Sequence, residues 1–160
     1  MTGRKFTRLQ VITALLPILI TCAVAKTGTC DSTPLPACSH CTGTPCVIWI
    51  QFDSSNRVAV SLTNGGPHVD AICVDKGQSV TWREADAVGG NFDVEFGVFS
   101  NPFSGVFSNS FKGSSGTDRT GTISTNPSHA CYRYSVEQCS SASGCSSLDP
   151  KVVINPVQAP

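Results

Sequence analysis

Nine cysteines stand in a chain of 160 residues, and their spacing is the first feature with chemical content. Cys30, Cys38, His40, Cys41 and Cys46 hold a Cys-x2-Cys pair and an imidazole, the donor types of a tetrahedral zinc site. In an oxidising compartment the same spacing gives disulfide staples instead. Cys38-Ser39-His40-Cys41 also has the spacing of a thiol oxidoreductase, but no helix start follows to stabilise a thiolate. His68, His129 and Cys131 supply the two nitrogens and one sulfur that redox copper takes. Glu84, Asp86, Asp93 and Glu95 surround a Gly-rich loop and offer the carboxylate oxygens of a calcium site; a solvated sheet edge is the plainer reading. His68 and Asp70 form an acid–base pair without a placed nucleophile, and no Gly-x-Ser-x-Gly elbow occurs. None of these sets completes an active site, so the expectation is a protein that is not an enzyme and carries no cofactor or metal.

The N-terminus decides between thiol and disulfide. Arg4, Lys5 and Arg8 precede an apolar stretch from Val11 to Val24, and Ala23-Val24-Ala25 gives a small-x-small cleavage site. Residues 1–25 therefore read as an export signal. The apolar stretch is shorter than the roughly 20 residues that span a bilayer as a helix. Leu19-Ile20-Thr21-Cys22 is similar to a lipoprotein box, yet Thr21 stands where a smaller residue is usual, so lipidation at Cys22 is the weaker reading. Cleavage after Ala25 removes three basic residues and no acidic one, turning a chain of zero formal net charge acidic. It also removes Cys22 and leaves an even set: Cys30, Cys38, Cys41, Cys46, Cys73, Cys131, Cys139 and Cys145. An even set in an exported chain predicts a disulfide framework. Cys73 and Cys131 are expected to pair across neighbouring strands, Cys139 and Cys145 to close a Ser/Gly loop, and the four N-terminal cysteines to pair among themselves.

Charged residues make up 14% of the chain, against about 25% in average soluble proteins. With no basic excess there is no surface for a phosphate backbone, so nucleic acid is excluded as a partner. Secretion, or export to the periplasm or cell envelope, is the expected location, with no transmembrane helix in the mature protein.

These residues need elements to hold them. Residues 26–45 form a Cys/Pro-rich arm with three prolines and no apolar period. From Cys46 onward the pattern has period two: Val58, Val60 and Leu62; Ile72 and Val74; Val80 and Trp82; Phe92, Val94, Phe96 and Val98; Tyr132, Tyr134 and Val136. Cys46–Phe52, residues 121–124 and residues 151–155 complete about eight strands, separated by turns such as Lys76-Gly77 and Asn126-Pro127. Such alternation predicts strands with one buried face. The expected fold is all-β, an antiparallel Greek-key β-sandwich over residues 46–160, stapled by disulfides.

One repeat interrupts the pattern. Residues 98–105 read VFSNPFSG and residues 106–113 read VFSNSFKG, identical at six of eight positions. Phe99, Phe103, Phe107 and Phe111 are candidates for contact with a protein or ligand, because contiguous apolar surface marks such sites. The alternative is a duplicated loop whose rings complete the core, which the sequence favours.

The run Ile72-Cys73-Val74-Asp75-Lys76-Gly77-Gln78-Ser79-Val80-Thr81-Trp82 resembles the cupredoxin family: a strand, a Gly turn, then a Val-Thr-Trp strand. The end of the chain is similar too, with Cys131–Val136, a Cys-bearing loop and Lys151–Ile154 in the places of the last two strands. The resemblance covers roughly residues 58–155 and implies a cupredoxin-like fold. It also implies positions for copper ligands, and this sequence departs from them. Phe92 stands near the place of the first His and Val136 at that of the Cys. The loop after Gln138 has neither the second His nor the Met. The reading is a non-catalytic binding or structural module of the cell envelope or extracellular space. Its alternative is a copper-handling or electron-transfer cupredoxin with displaced ligands.

Overall fold

The computed structural model describes residues 27–30, 33–85, 90–97, 100–105, 109–114, 116–140 and 144–155. The expected signal segment with Cys22, together with Asp86, Phe99 and Phe107, lies outside them. The described residues contain no helix and form twelve strands. In chain order these are β1 (Gly28–Thr29), β2 (Ser39–His40), β3 (Cys46–Phe52), β4 (Val58–Ser61), β5 (Ala71–Val74) and β6 (Ser79–Glu84). They continue with β7 (Asn91–Phe96), β8 (Ser110–Ser114), β9 (Arg119–Thr122), β10 (Cys131–Ser140), β11 (Gly144–Leu148) and β12 (Lys151–Ile154).

Two sheets face each other. The larger runs β2-β5-β12-β10-β7-β8, with β1 and β11 also paired to β10, and the smaller runs β4-β3-β6-β9. The sheets are mixed rather than purely antiparallel, since β3/β6, β12/β5 and β2/β5 are parallel. Alternation along a strand fixes which face is buried, but it carries no information about the direction of the neighbour. That is why the sequence reading missed the parallel pairs.

The strand count rises from about eight for identifiable reasons. The arm contributes two-residue strands β1 and β2 that borrow their hydrogen bonds from β10 and β5. Strand β8 lies in the second copy of the repeat, where Lys112-Gly113-Ser114 hides the alternation. Strand β11 is Ser/Gly-rich, and its register on β10 continues directly into that of β12: Val136 faces Leu148 and Arg133 faces Lys151. Pro150 separates the two because it has no N–H to give, while its carbonyl still accepts from the Tyr134 amide at 3.1 Å.

The inner faces meet in one core. Ile48, Ile50, Val58, Val60, Val80 and Trp82 come from the smaller sheet. Ile72, Val74, Val94, Phe96, Tyr132, Tyr134, Val136, Val152 and Ile154 come from the larger. The Asp75–Gln78 turn joins β5 to β6 across the layers, and Gly77 sits there at φ 77°, a conformation that favours glycine. A second, smaller cluster lies on the outside of the larger sheet, where the arm covers Ala71, Cys131 and Val153 and packs Cys30 and Cys38 against them. Strand β5 is buried on both faces for that reason.

Candidate functional site

The sulfurs define the chemistry that is available. The eight cysteines form four bridges: Cys30–Cys131, Cys38–Cys73, Cys41–Cys46 and Cys139–Cys145. The expected Cys73–Cys131 bond does not form, and only one bond, Cys41–Cys46, joins two of the four N-terminal cysteines. The reason is topological. Strand β12 lies between β5 and β10, so Val153 faces Cys73 on one side and Cys131 on the other. The two sulfurs are therefore separated by a whole strand, and the arm reaches down to each instead. Cys139 and Cys145 are register partners at the β10–β11 hairpin and close it as expected.

These bonds bear on three of the sulfur chemistries in turn. The arm set of Cys30, Cys38, His40, Cys41 and Cys46 offers zinc no thiolate while its cysteines are bridged. Cys38 and Cys41 bond to different partners, not to each other, so they do not form a redox pair. Cys131 is bridged to Cys30, which takes the sulfur from the His68, His129 and Cys131 set. The two histidines have local partners. His68 Nε2 lies 2.9 Å from Asp70 Oδ1 in a groove beside Asp53, Arg57 and Ser146. The His129 ring meets Tyr132 edge-on at 5.9 Å. His40 is exposed, with Nδ1 3.4 Å from Asn155 Nδ2.

The two residues that the sequence resemblance set at expected copper-ligand places are apolar core side chains. Phe92 on β7 and Val136 on β10 both point into the core and are buried. Phe92 is the register partner of Gln138, and Val136 of Val94. The ring of Phe92 occupies the space over Gly113, where an added Cβ would lie 2.1 Å from it.

The acidic residues divide between two faces. Asp93 and Glu95 lie on the outer face of β7, where Lys112 reaches Asp93 at 2.9 Å and Ser110 donates to it at 2.7 Å. Glu84 ends β6 on the inner face and is buried. Its Oε1 accepts from Gln138 Nε2 at 2.9 Å, a bond between the two sheets. Glu84 Oε2 and Gln138 Oε1 have no hydrogen-bond partner. The described acids therefore do not converge as a calcium site requires. The signal for Glu84 was present in the sequence, because it falls in phase with the inward Val80 and Trp82.

The repeat supplies core aromatics. Phe103 and Phe111 are buried, with ring centroids 5.4 Å and 4.9 Å from Trp82. Phe96 meets Phe103 edge-on at 5.1 Å and stacks on Tyr134 at 5.0 Å. Phe103 and Phe111 are thus core side chains rather than exposed contact residues: each ring packs among three others and gains more from burial than from facing water. Burial also pushes the Tyr134 phenol far above its ordinary range, with the Trp82 indole N–H beside it pulling weakly the other way.

Two further groupings were not read from the sequence. On the outer face of the smaller sheet the Arg83 guanidinium lies 5.3 Å from the centre of the Trp49 ring. It also pairs with Asp118, donating from Nε at 2.8 Å, and this bond holds the Asp118 carboxyl below its usual range. Glu137, Cys139 and Cys145 form the second. Their donor atoms lie within 4.8 Å of one another, a grouping of three potential metal ligands among the described residues. Alternation puts Glu137 and Cys139 on one face of β10, but only the pairing with β11 brings in Cys145.

No protein-family model matches the chain. No curated protein matches it. Among solved structures it is similar to a reduced Cu(I) form, at pH 4, of an amicyanin variant, at 18% identity and a TM-score of 0.30. An oxidized amicyanin variant is similar at 16% identity, also with a TM-score of 0.30. Each match covers 68% of this chain and 82% of the other. At that score the fold assignment rests on the strands and core themselves, which make this chain a disulfide-stapled all-β sandwich.

Proposed function

We propose that this chain is an exported, cupredoxin-like sandwich acting as a non-catalytic binding or structural module of the cell envelope or extracellular space, without redox copper. The observation that carries the reading is the pairing of all eight cysteines outside the signal segment. Four disulfides suit folding in an oxidising compartment, and they occupy the sulfurs that copper, arm-bound zinc or thiol exchange at Cys38 and Cys41 would use. Phe92 and Val136, packed in the core, support the same reading. Among the described residues no helix is long and apolar enough to cross a membrane. In this reading a partner contact at the repeat rests on Phe99 and Phe107.

The test is a thiol titration of the denatured, unreduced exported protein, followed by copper titration of the folded protein. The expected results are no free thiol and no visible thiolate-to-copper absorption. An intense visible band on adding Cu²⁺ would establish the displaced-ligand copper protein in its place.

A further inference from the structure

We propose that Cys139–Cys145 is a redox-gated metal site: once this bridge is reduced, its two thiolates and the Glu137 carboxylate hold Zn²⁺. Three observations carry this, and none depends on the fold family.

The first is access. Thiol–disulfide exchange requires a thiolate to reach one sulfur of the bridge. Each of the other three bridges has a member in a buried residue: Cys131, Cys73 and Cys46. Cys145 is exposed and Cys139 half-buried, one rung from the end of the β10–β11 ladder. A small dithiol therefore meets this bridge first.

The second is that the site outlasts the bond. Strands β10 and β11 are held by a ladder running from Val136/Leu148 to Ser140/Gly144. Strand β10 is fixed on its other side by β7, where Cys139 faces Asn91. Loss of the S–S bond leaves both cysteine backbones in place, still directly opposite each other.

The third is the donor set. Glu137 precedes Cys139 by two residues, so both side chains leave the same face of β10. Glu137 Oε1 lies 3.7 Å from Cys139 Sγ. Zinc binds sulfur at about 2.3 Å and carboxylate oxygen at about 2.0–2.2 Å, so tetrahedral donors lie roughly 3.5–3.8 Å apart. The three donors are already within 4.8 Å, and rotation of the freed sulfurs is all the site needs. Two thiolates select a borderline or soft ion over Ca²⁺ or Mg²⁺. With three protein ligands, the fourth position belongs to water. Asp93, the register partner of Glu137, is engaged by Lys112.

The reaction balances with a dithiol as reductant. The dithiol becomes a disulfide, the Cys139–Cys145 bond breaks, and the two sulfurs take up two electrons and two protons. Zn²⁺ then displaces both protons to solvent.

The test uses the full exported chain. Limiting dithiothreitol followed by alkylation and peptide mapping is expected to label Cys139 and Cys145 while the other six cysteines stay bridged. The partly reduced protein is expected to bind one Zn²⁺ with release of two protons. With Co²⁺ in its place it is expected to show thiolate charge-transfer absorption. The unreduced protein and the folded Cys139→Ser/Cys145→Ser variant should bind none. Glu137→Gln should weaken Zn²⁺ binding at least about tenfold, the smallest loss seen when even an outer-shell partner of a metal is removed. Prior opening of another bridge, absence of Zn²⁺ binding after reduction, or full affinity in Glu137→Gln would each overturn the assignment.

Discussion

Gln138 and Glu84 join the two sheets by a single side-chain hydrogen bond of 2.9 Å inside an otherwise apolar core. Each keeps one oxygen without a partner, so the pair is costly to break and inexpensive to remove as a unit. Gln138→Leu alone leaves a buried carboxyl without its donor and is expected to lower unfolding stability by about 3 kcal/mol. The double variant Glu84→Leu/Gln138→Leu is expected to regain most of that loss, because both polar groups go together. Urea unfolding of the two single variants and the double closes the cycle. Strictly additive losses would show that the bond does not couple the two side chains.

Phe103 and Phe111 make a prediction that separates core from contact surface. Either residue changed to alanine should cost about 3–5 kcal/mol, as large-to-small aromatic substitutions in cores do. Gly113→Ala should cost about 1–3 kcal/mol, because its new methyl collides with the Phe92 ring. Thermal unfolding of the three variants checks both. Unchanged melting temperatures in the phenylalanine variants would put the rings outside the core.

Tyr134 sets an alkaline limit. Its phenol is held neutral by burial well above the ordinary value of 10.0. Above that pH the unfolded chain loses its proton while the folded chain keeps it, so unfolding gains as pH rises. Tyr134→Phe should leave neutral-pH stability within about 1 kcal/mol of the parent, since the hydroxyl has no well-formed partner to lose. It should also flatten the decline between about pH 9 and pH 12. Equal slopes for parent and variant in that range would show that Tyr134 ionises equally in both states.

The bridges should rank by the length of chain they close. Removing both cysteines of Cys30–Cys131, separated by 101 residues, should cost about 5 kcal/mol. Removing Cys41–Cys46, separated by 5, should cost about 2 kcal/mol. Denaturant midpoints of the paired Cys→Ala variants give the order. Losing the arm from the sheet adds to the first value by exposing Ala71 and Val153.

Much of the core was legible because side chains on a strand alternate. Phe92, Val94 and Phe96 declare their inward phase, as do Tyr132, Tyr134 and Val136, and Gln138 falls in the same phase. The repeat was legible as a repeat, and rings completing the core was the favoured reading of it; which neighbours those rings meet was not legible. Its aromatic spacing does not name the rings it packs against, and Trp82 lies more than twenty residues from Phe103 and Phe111 in sequence.

Residue type and local period alone thus determined that this chain is an all-β sandwich with an even set of cysteines after its expected export signal. The inward phase of Phe92 and Val136 followed from the same alternation. Only the tertiary structure decided which cysteines meet. Pairing depends on which strand lies beside which, and β12, the last of the described strands, inserts between β5 and β10. That same strand order separates Cys73 from Cys131, while the pairing of β11 with β10 sets Cys145 beside Cys139 and Glu137. Local alternation specifies the face of each side chain; neighbours across a sheet are settled only when the whole chain has packed.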